Sequence, residues 1–148
     1  IIQKIRQYKP EVVLANVLED RHPDHGRAGK LVADACFLAG LSKIQTNHAG
    51  KKQEAWRPKA VYHYNQFLYH KPDFAIDVTA FMSKRIDAIK AHSSQFFNPK
   101  SKEPMTLISQ PEFFDFVMRR SMEFGKEIGV TYAEGFNLGT MEKELLLL

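Results

Sequence analysis

Three observations predict an α/β fold with a mainly parallel sheet flanked by helices. Short β-branched runs alternate along the chain with longer segments of 3–4-residue apolar spacing, the order that builds strand–helix–strand units. The first such run, "EVVLANV" (Glu11–Val17), has the continuous apolar character of a strand buried in a parallel sheet. The polar loop after it falls where open α/β sheets place their ligand crevice, beyond strand C-termini. The expected layering is Rossmann-like, and residues 1–148 read as one domain.

Element by element, "IIQKIRQYKP" reads as the end of a helix with Ile1, Ile5 and Tyr8 on one face and Pro10 closing it. A helix whose beginning is absent predicts a fragment lacking its own N-terminal strands. A second helix is expected over about Gly26–Ala39, with Ala28, Leu31, Val32, Ala35 and Leu38 as its apolar stripe and Gly40 ending it. Leu41–Pro58 reads as irregular. In "KAVYHYNQFLY" a strand places Val61, His63 and Asn65 on one face and Tyr62, Tyr64 and Gln66 on the other. "DFAIDVT" is another strand, and Thr79 can cap a helix striped by Met82, Ile86, Ile89 and Phe96, with Lys84, Arg85, Asp87 and Lys90 facing water. "SQPE" predicts a capping box with Ser109 as N-cap, opening a helix that buries Phe113, Val117, Phe124 and Ile128. "VTYAEGFNLGT" reads as a last strand or a loop folding back.

Charge argues against one class of partner, leaving a nucleic-acid-binding domain as a rival that rests only on the basic pI. Against 17 acidic residues stand 21 Lys and Arg, a net charge of +4, and the basic residues are scattered; Lys51-Lys52 and Lys100-Ser101-Lys102 read as solvated loops. That is no nucleic-acid footprint. No apolar run approaches membrane length, so no membrane partner is expected. Cys36 is alone and no Asn-x-Ser/Thr acceptor occurs, which predicts a reducing cytoplasm.

The chemistry concentrates in "LEDRHPDHGRAGKLV" (Leu18–Val32). Pro23 disfavours helical geometry at His22, while Asp24 and His25 enter the helix, so two imidazoles approach one centre from different directions. Neutral imidazole is the commonest metal ligand, and a neighbouring carboxylate can accept its other N–H, fixing the tautomer. One histidine would coordinate; the other, held by Asp24, would donate to an oxyanion or leaving group. Arg21 lies beside the pair. The plainer alternative is a polar turn in which Asp20 or Asp24 caps the helix and both rings are exposed. A catalytic zinc takes about three protein ligands, so partners must come from elsewhere.

"YKPEVVLANVLEDRHPDHGRAGKLVADACFLAGL", "RPKAVYHY", "KPDFAIDVT", "SQF" and "GVTYAEGF" together resemble the LmbE-like (PIG-L) zinc-dependent N-acetylglucosaminyl deacetylases. The resemblance runs from Ile1 to about Phe136 and is strongest to the N-acetyl-α-D-glucosaminyl-L-malate deacetylases of bacillithiol synthesis. It implies that His25 is a zinc ligand and that His22 stabilises the tetrahedral intermediate or protonates the leaving amine, with Asp24 orienting it. It places Arg57 near the substrate pocket. Arg21 and Tyr64 are further candidates for substrate contact, and Glu134 matches a family motif without an assigned role.

The family's other zinc ligands and its general-base Asp lie in an Ala-His-Pro-Asp-Asp stretch that this chain lacks; "HKPDF" (His70–Phe74) has the wrong spacing to replace it. The chain is therefore expected to be the C-terminal portion of such an enzyme, with the remaining zinc ligands upstream, and to be inactive alone. A non-catalytic carbohydrate- or metal-binding remnant is the alternative. The expected partners are an amino-sugar substrate and further copies of the chain. Residues 139–148 form a tail unlike the family's.

Among the remaining residues, His48, His63, His70 and His92 read as surface or hydrogen-bonded residues, with His63 and Tyr64 the best placed to line a pocket. Cys36 reads as a buried inert thiol and Trp56 as packing under a loop.

Overall fold

The structure is a computed structural model and describes residues 1–139. Helix α1 (Ile2–Tyr8) leads into strand β1 (Val12–Asn16) and helix α2 (Pro23–Ala39). A small hairpin, β2 (Asn47–His48) and β3 (Lys51–Lys52), interrupts the stretch expected to be irregular. Strands β4 (Ala60–Tyr64) and β5 (Phe74–Asp77) follow, then α3 (Met82–Ala91), α4 (Phe113–Ile128) and β6 (Ala133–Leu138).

The strand order is β1-β4-β6-β5. β1 and β4 run parallel in register from Val12 opposite Ala60 to Asn16 opposite Tyr64. β6 runs antiparallel to β4. The sheet is thus mixed. The pattern placing Val61, His63 and Asn65 on one face holds, since all three are buried.

The chain divides into two compact units, Ile1–Phe74 with the segment from Gly135, and Ala75–Glu134. In the first, α1 and α2 cover β1 and β4 through Ile5, Ala15, Ala35, Cys36, Ala39 and Val61. Ile1 and Tyr8, expected on the buried face of α1, are exposed; the buried residues are Ile5 and Arg6. Arg6 explains the exchange. Its guanidinium donates to the carbonyls of Ala39, Leu41 and Ile44 and to Thr46 Oγ1, which closes off the C-terminal end of α2. Trp56 packs against this core and donates its indole N–H to Pro10 O at 2.8 Å. Cys36 is buried.

In the second unit Met82, Val117, Phe124 and Ala133 are buried. The capping box lies one turn earlier than expected: Thr106 is the N-cap and Ser109 its third residue, in a 3₁₀ turn over Leu107–Ser109, and α4 begins afterwards without a side-chain cap. Pro111, which lacks an N–H, follows that turn and separates it from α4. Ile128, expected in the core, is exposed next to the left-handed Gly129 that ends α4. Phe96 lies beyond α3, and Arg85, expected to face water, is half-buried against Glu134 at 3.1 Å. No described helix is long and apolar enough to cross a membrane.

Candidate functional site

The candidate site is built where β1 ends and α2 begins. α2 starts three residues earlier than the apolar spacing alone predicts, at Pro23, whose missing N–H is harmless in a first turn. Its cap is a histidine: His22 is extended (φ −90°, ψ 126°), and its Nδ1 accepts the Asp24 N–H at 3.2 Å. Two glycines seat this end. A Cβ on Gly26 would lie 2.5 Å from Leu18 O, and one on Gly29 would lie 2.4 Å from Asn16 O. The helix can meet the backbone leaving β1 only because both side chains are missing.

That seating brings the two rings together, with centroids 5.4 Å apart. Their hydrogen bonds differ. Since His22 Nδ1 accepts, the neutral ring carries its proton on Nε2. The Asp24 carboxylate stands 3.8 Å from His22 Nδ1 and pairs with Arg27 at 3.4 Å, so the contact to His22 is made by the Asp24 backbone. His25 Nδ1 lies 2.7 Å from Asp20 Oδ2, and a carboxylate can only accept, so that nitrogen carries the proton.

Asp20 carried no assigned partner in the sequence, yet its side chain is fully buried. Its Oδ1 accepts the Leu68 N–H at 2.7 Å, and Oδ2 also lies 3.4 Å from the Phe67 N–H. Burial pushes this carboxyl up, but the N–H groups of Leu68 and Arg21 and the contact with His25 outweigh it and hold it below the usual carboxylate range. Arg21 stacks on Phe67 at 4.9 Å, and His70 Nε2 meets Glu19 O at 2.8 Å, so the loop after β1 is fastened to the loop after β4.

Beside His22 opens a cavity of about 760 Å³, lined also by Asp20, Lys30, Phe37, Arg57 and His63. Arg57 lies over the Phe37 ring at 4.4 Å and donates to Phe37 O at 3.1 Å. His63 donates from Nδ1 to Asn16 O at 2.7 Å, and its buried Nε2 has no partner among the described residues. His25, Arg21 and Tyr64 do not line the cavity. Tyr64 lies on the other face of β4, where burial raises its phenol above the usual range. Glu134 belongs to the second unit and pairs with Arg85. The tail from residue 140 lies outside the described residues.

The donor set fits a metal in part. His25 has the arrangement of a ligand, one nitrogen on a carboxylate and the other carrying a lone pair. No group of three His, Cys, Asp or Glu able to hold a metal forms among the described residues.

No family model matches the chain. It is 27% identical over 138 residues to the diacetylchitobiose deacetylase of Thermococcus kodakarensis, covering 91% of this chain and 47% of that protein. The chain thus spans about half the length of the curated relative it matches. Among solved structures it resembles the conserved protein TT1542 from Thermus thermophilus at 30% identity and a TM-score of 0.74, covering 92% of this chain and 55% of that one. The N,N'-diacetylchitobiose deacetylase from Pyrococcus horikoshii, solved with its inhibitor MPG, has the same fold at 23% identity and a TM-score of 0.72, covering 93% and 49%.

Proposed function

We propose that this chain is part of an LmbE-like, zinc-dependent N-deacetylase that releases acetate from an N-acetylglucosamine conjugate. One observation carries the reading: two imidazoles, one turn apart and with rings in proximity, are both held at Nδ1 but in opposite roles, His22 accepting and His25 donating, so that Nε2 of the first offers an N–H and Nε2 of the second a lone pair. The similarity to diacetylchitobiose deacetylase supports the acetamide as the reacting group. The finer assignment is the malate conjugate of bacillithiol synthesis, in a cytoplasmic, homo-oligomeric enzyme of Rossmann-like layering.

His25 would hold the zinc through Nε2, with the remaining donors outside residues 1–139. Bound zinc supplies Lewis acidity toward the acetamide carbonyl and lowers the pKa of a water molecule. The protein's own part begins as the carbonyl carbon becomes tetrahedral. The His22 Nε2–H then donates to the oxygen that gains negative charge. When the carbon–nitrogen bond breaks, the departing sugar amine would take up the proton that a carboxylate outside residues 1–139 draws from the water, leaving acetate and a free amine. Pro23 and the Asp24 N–H hold the neutral ring for this task. Arg57, Arg21 and Tyr64 are the proposed sugar contacts, Arg57 from the cavity wall.

The test uses the whole protein. His25→Ala should abolish zinc binding and acetate release, whereas His22→Ala should keep zinc and lose about a hundredfold or more in turnover, the usual effect of removing one oxyanion donor. Equal rates in wild type and His22→Ala would refute the assignment. Acetate release from diacetylchitobiose and from the malate conjugate separates the substrates. The absence of a three-donor cluster among the described residues favours a second reading, a non-catalytic remnant that binds sugar or metal. Whole protein that still binds the sugar or a metal but releases no acetate would support it.

A further inference from the structure

We propose that Asp20 is the positioning residue of the site, holding His25 in the Nδ1–H tautomer so that its Nε2 lone pair faces outward. The significance for catalysis rests on His25 as a metal ligand; the tautomer itself does not.

A directional chain of hydrogen bonds supports the assignment. At one end Asn16 Nδ2 donates to Gln66 Oε1 at 2.8 Å, which turns the Gln66 amide nitrogen toward His25. That nitrogen lies 3.4 Å from His25 Nε2 and can only donate, so Nε2 must accept. On the far side of the ring Nδ1 meets Asp20 Oδ2 at 2.7 Å, where only a ring N–H can serve. The two contacts demand the same tautomer independently. Asp20 cannot turn away, because Leu68 N–H holds its other oxygen at 2.7 Å and its side chain is fully buried. Asp24, the carboxylate adjacent to both histidines in sequence, does not serve here: it lies on the exposed side with Arg27. Asp20 therefore fixes the ring's proton and ties its orientation to the loop after β4.

Asp20→Asn separates these duties. Leu68 N–H keeps the amide oxygen on its own side, which places the new NH₂ group against His25 Nδ1. Two donors cannot face each other, so the ring proton must move to Nε2. Long-range ¹H–¹⁵N spectra of the metal-free protein should show Nδ1 protonated in wild type and the two ring-nitrogen signals exchanged in Asp20→Asn. Gln66→Ala removes only the weaker, exposed contact and should keep the wild-type pattern. Zinc affinity of the whole protein, measured against a chromogenic chelator, should fall about 10- to 100-fold in Asp20→Asn, as for other carboxylate partners of ligating histidines. A wild-type ring protonated on Nε2 overturns the proposal even if Asp20→Asn fails to fold. So does a folded Asp20→Asn protein with an unchanged pattern, or a Gln66→Ala protein whose tautomer switches. Exchanged signals in a whole protein that never binds zinc would support the role of Asp20 and refute the metal assignment alone.

Discussion

Replacing Gly29 by alanine tests whether the site is set by the fit of α2 against the end of β1. In an unconstrained helix the change would stabilise by about 1 kcal/mol, the propensity difference between the residues. Here the added Cβ falls 2.4 Å from Asn16 O and 3.0 Å from Val17 O, both backbone atoms that cannot rotate aside. An ordinary carbon–oxygen contact needs about 3.3 Å, so the helix must retreat by about 0.9 Å. Overpacking of that kind costs about 1–3 kcal/mol. The retreat also loosens the bond from His63 Nδ1 to Asn16 O. The expected result is a net loss of about 0–2 kcal/mol in urea unfolding with a moved His63 Nδ1–H resonance, while Lys30→Ala, one position along on the exposed face, stays within about 0.5 kcal/mol. In the proposed reaction such a displacement is worth about a hundredfold in rate. Gly29→Ala as stable as wild type, with the His63 resonance unmoved, would refute the argument.

Arg6→Met should cost about 2–4 kcal/mol, because Ile44 O loses its charged donor while Ala39 O keeps Trp56 N–H and Leu41 O keeps Ile44 N–H. Urea unfolding beside the exposed Lys4→Met checks it, and a loss below about 1 kcal/mol would show that the guanidinium is dispensable. Thr79, through its hydroxyl and its N–H, holds the Asp77 carboxyl below the usual range. A lowered folded pKa means stabilisation present above the unfolded value of about 3.9 and lost as pH falls through the folded one. The gap in urea midpoint between wild type and Asp77→Ala should therefore close on acidification; a gap that persists at the lowest pH would contradict the assignment.

What the sequence made legible followed local rules. The 3–4 spacing over residues 28–38 located α2, and period-two alternation put His63 on the buried face of β4. Pro23 marked where two imidazoles would converge. What escaped depended on partners distant along the chain. Arg6 looked like the polar side of a helix, since its acceptors lie 33 to 40 residues on. Asp20 looked like an ordinary loop residue or cap, because Leu68 is 48 residues away and only the pairing of β1 with β4 brings it near. The direction of β6 was equally hidden, since strand polarity is set by the route of the connection and leaves no trace in composition.

Arg6 grips α2 at one end and the pair Gly26 and Gly29 seat it at the other, so the helix can neither slide nor roll. Length changes in this half of the molecule must then be absorbed by a segment that touches little, and the β2–β3 turn is suited to it: Ala49 and Gly50 take positive φ angles, and space around Gly50 is open. Insertions and neutral drift are best tolerated at that hairpin. The angular phase that presents both imidazoles at once would survive them, so the turn at Ala49 and Gly50 can diverge without disturbing the chemistry.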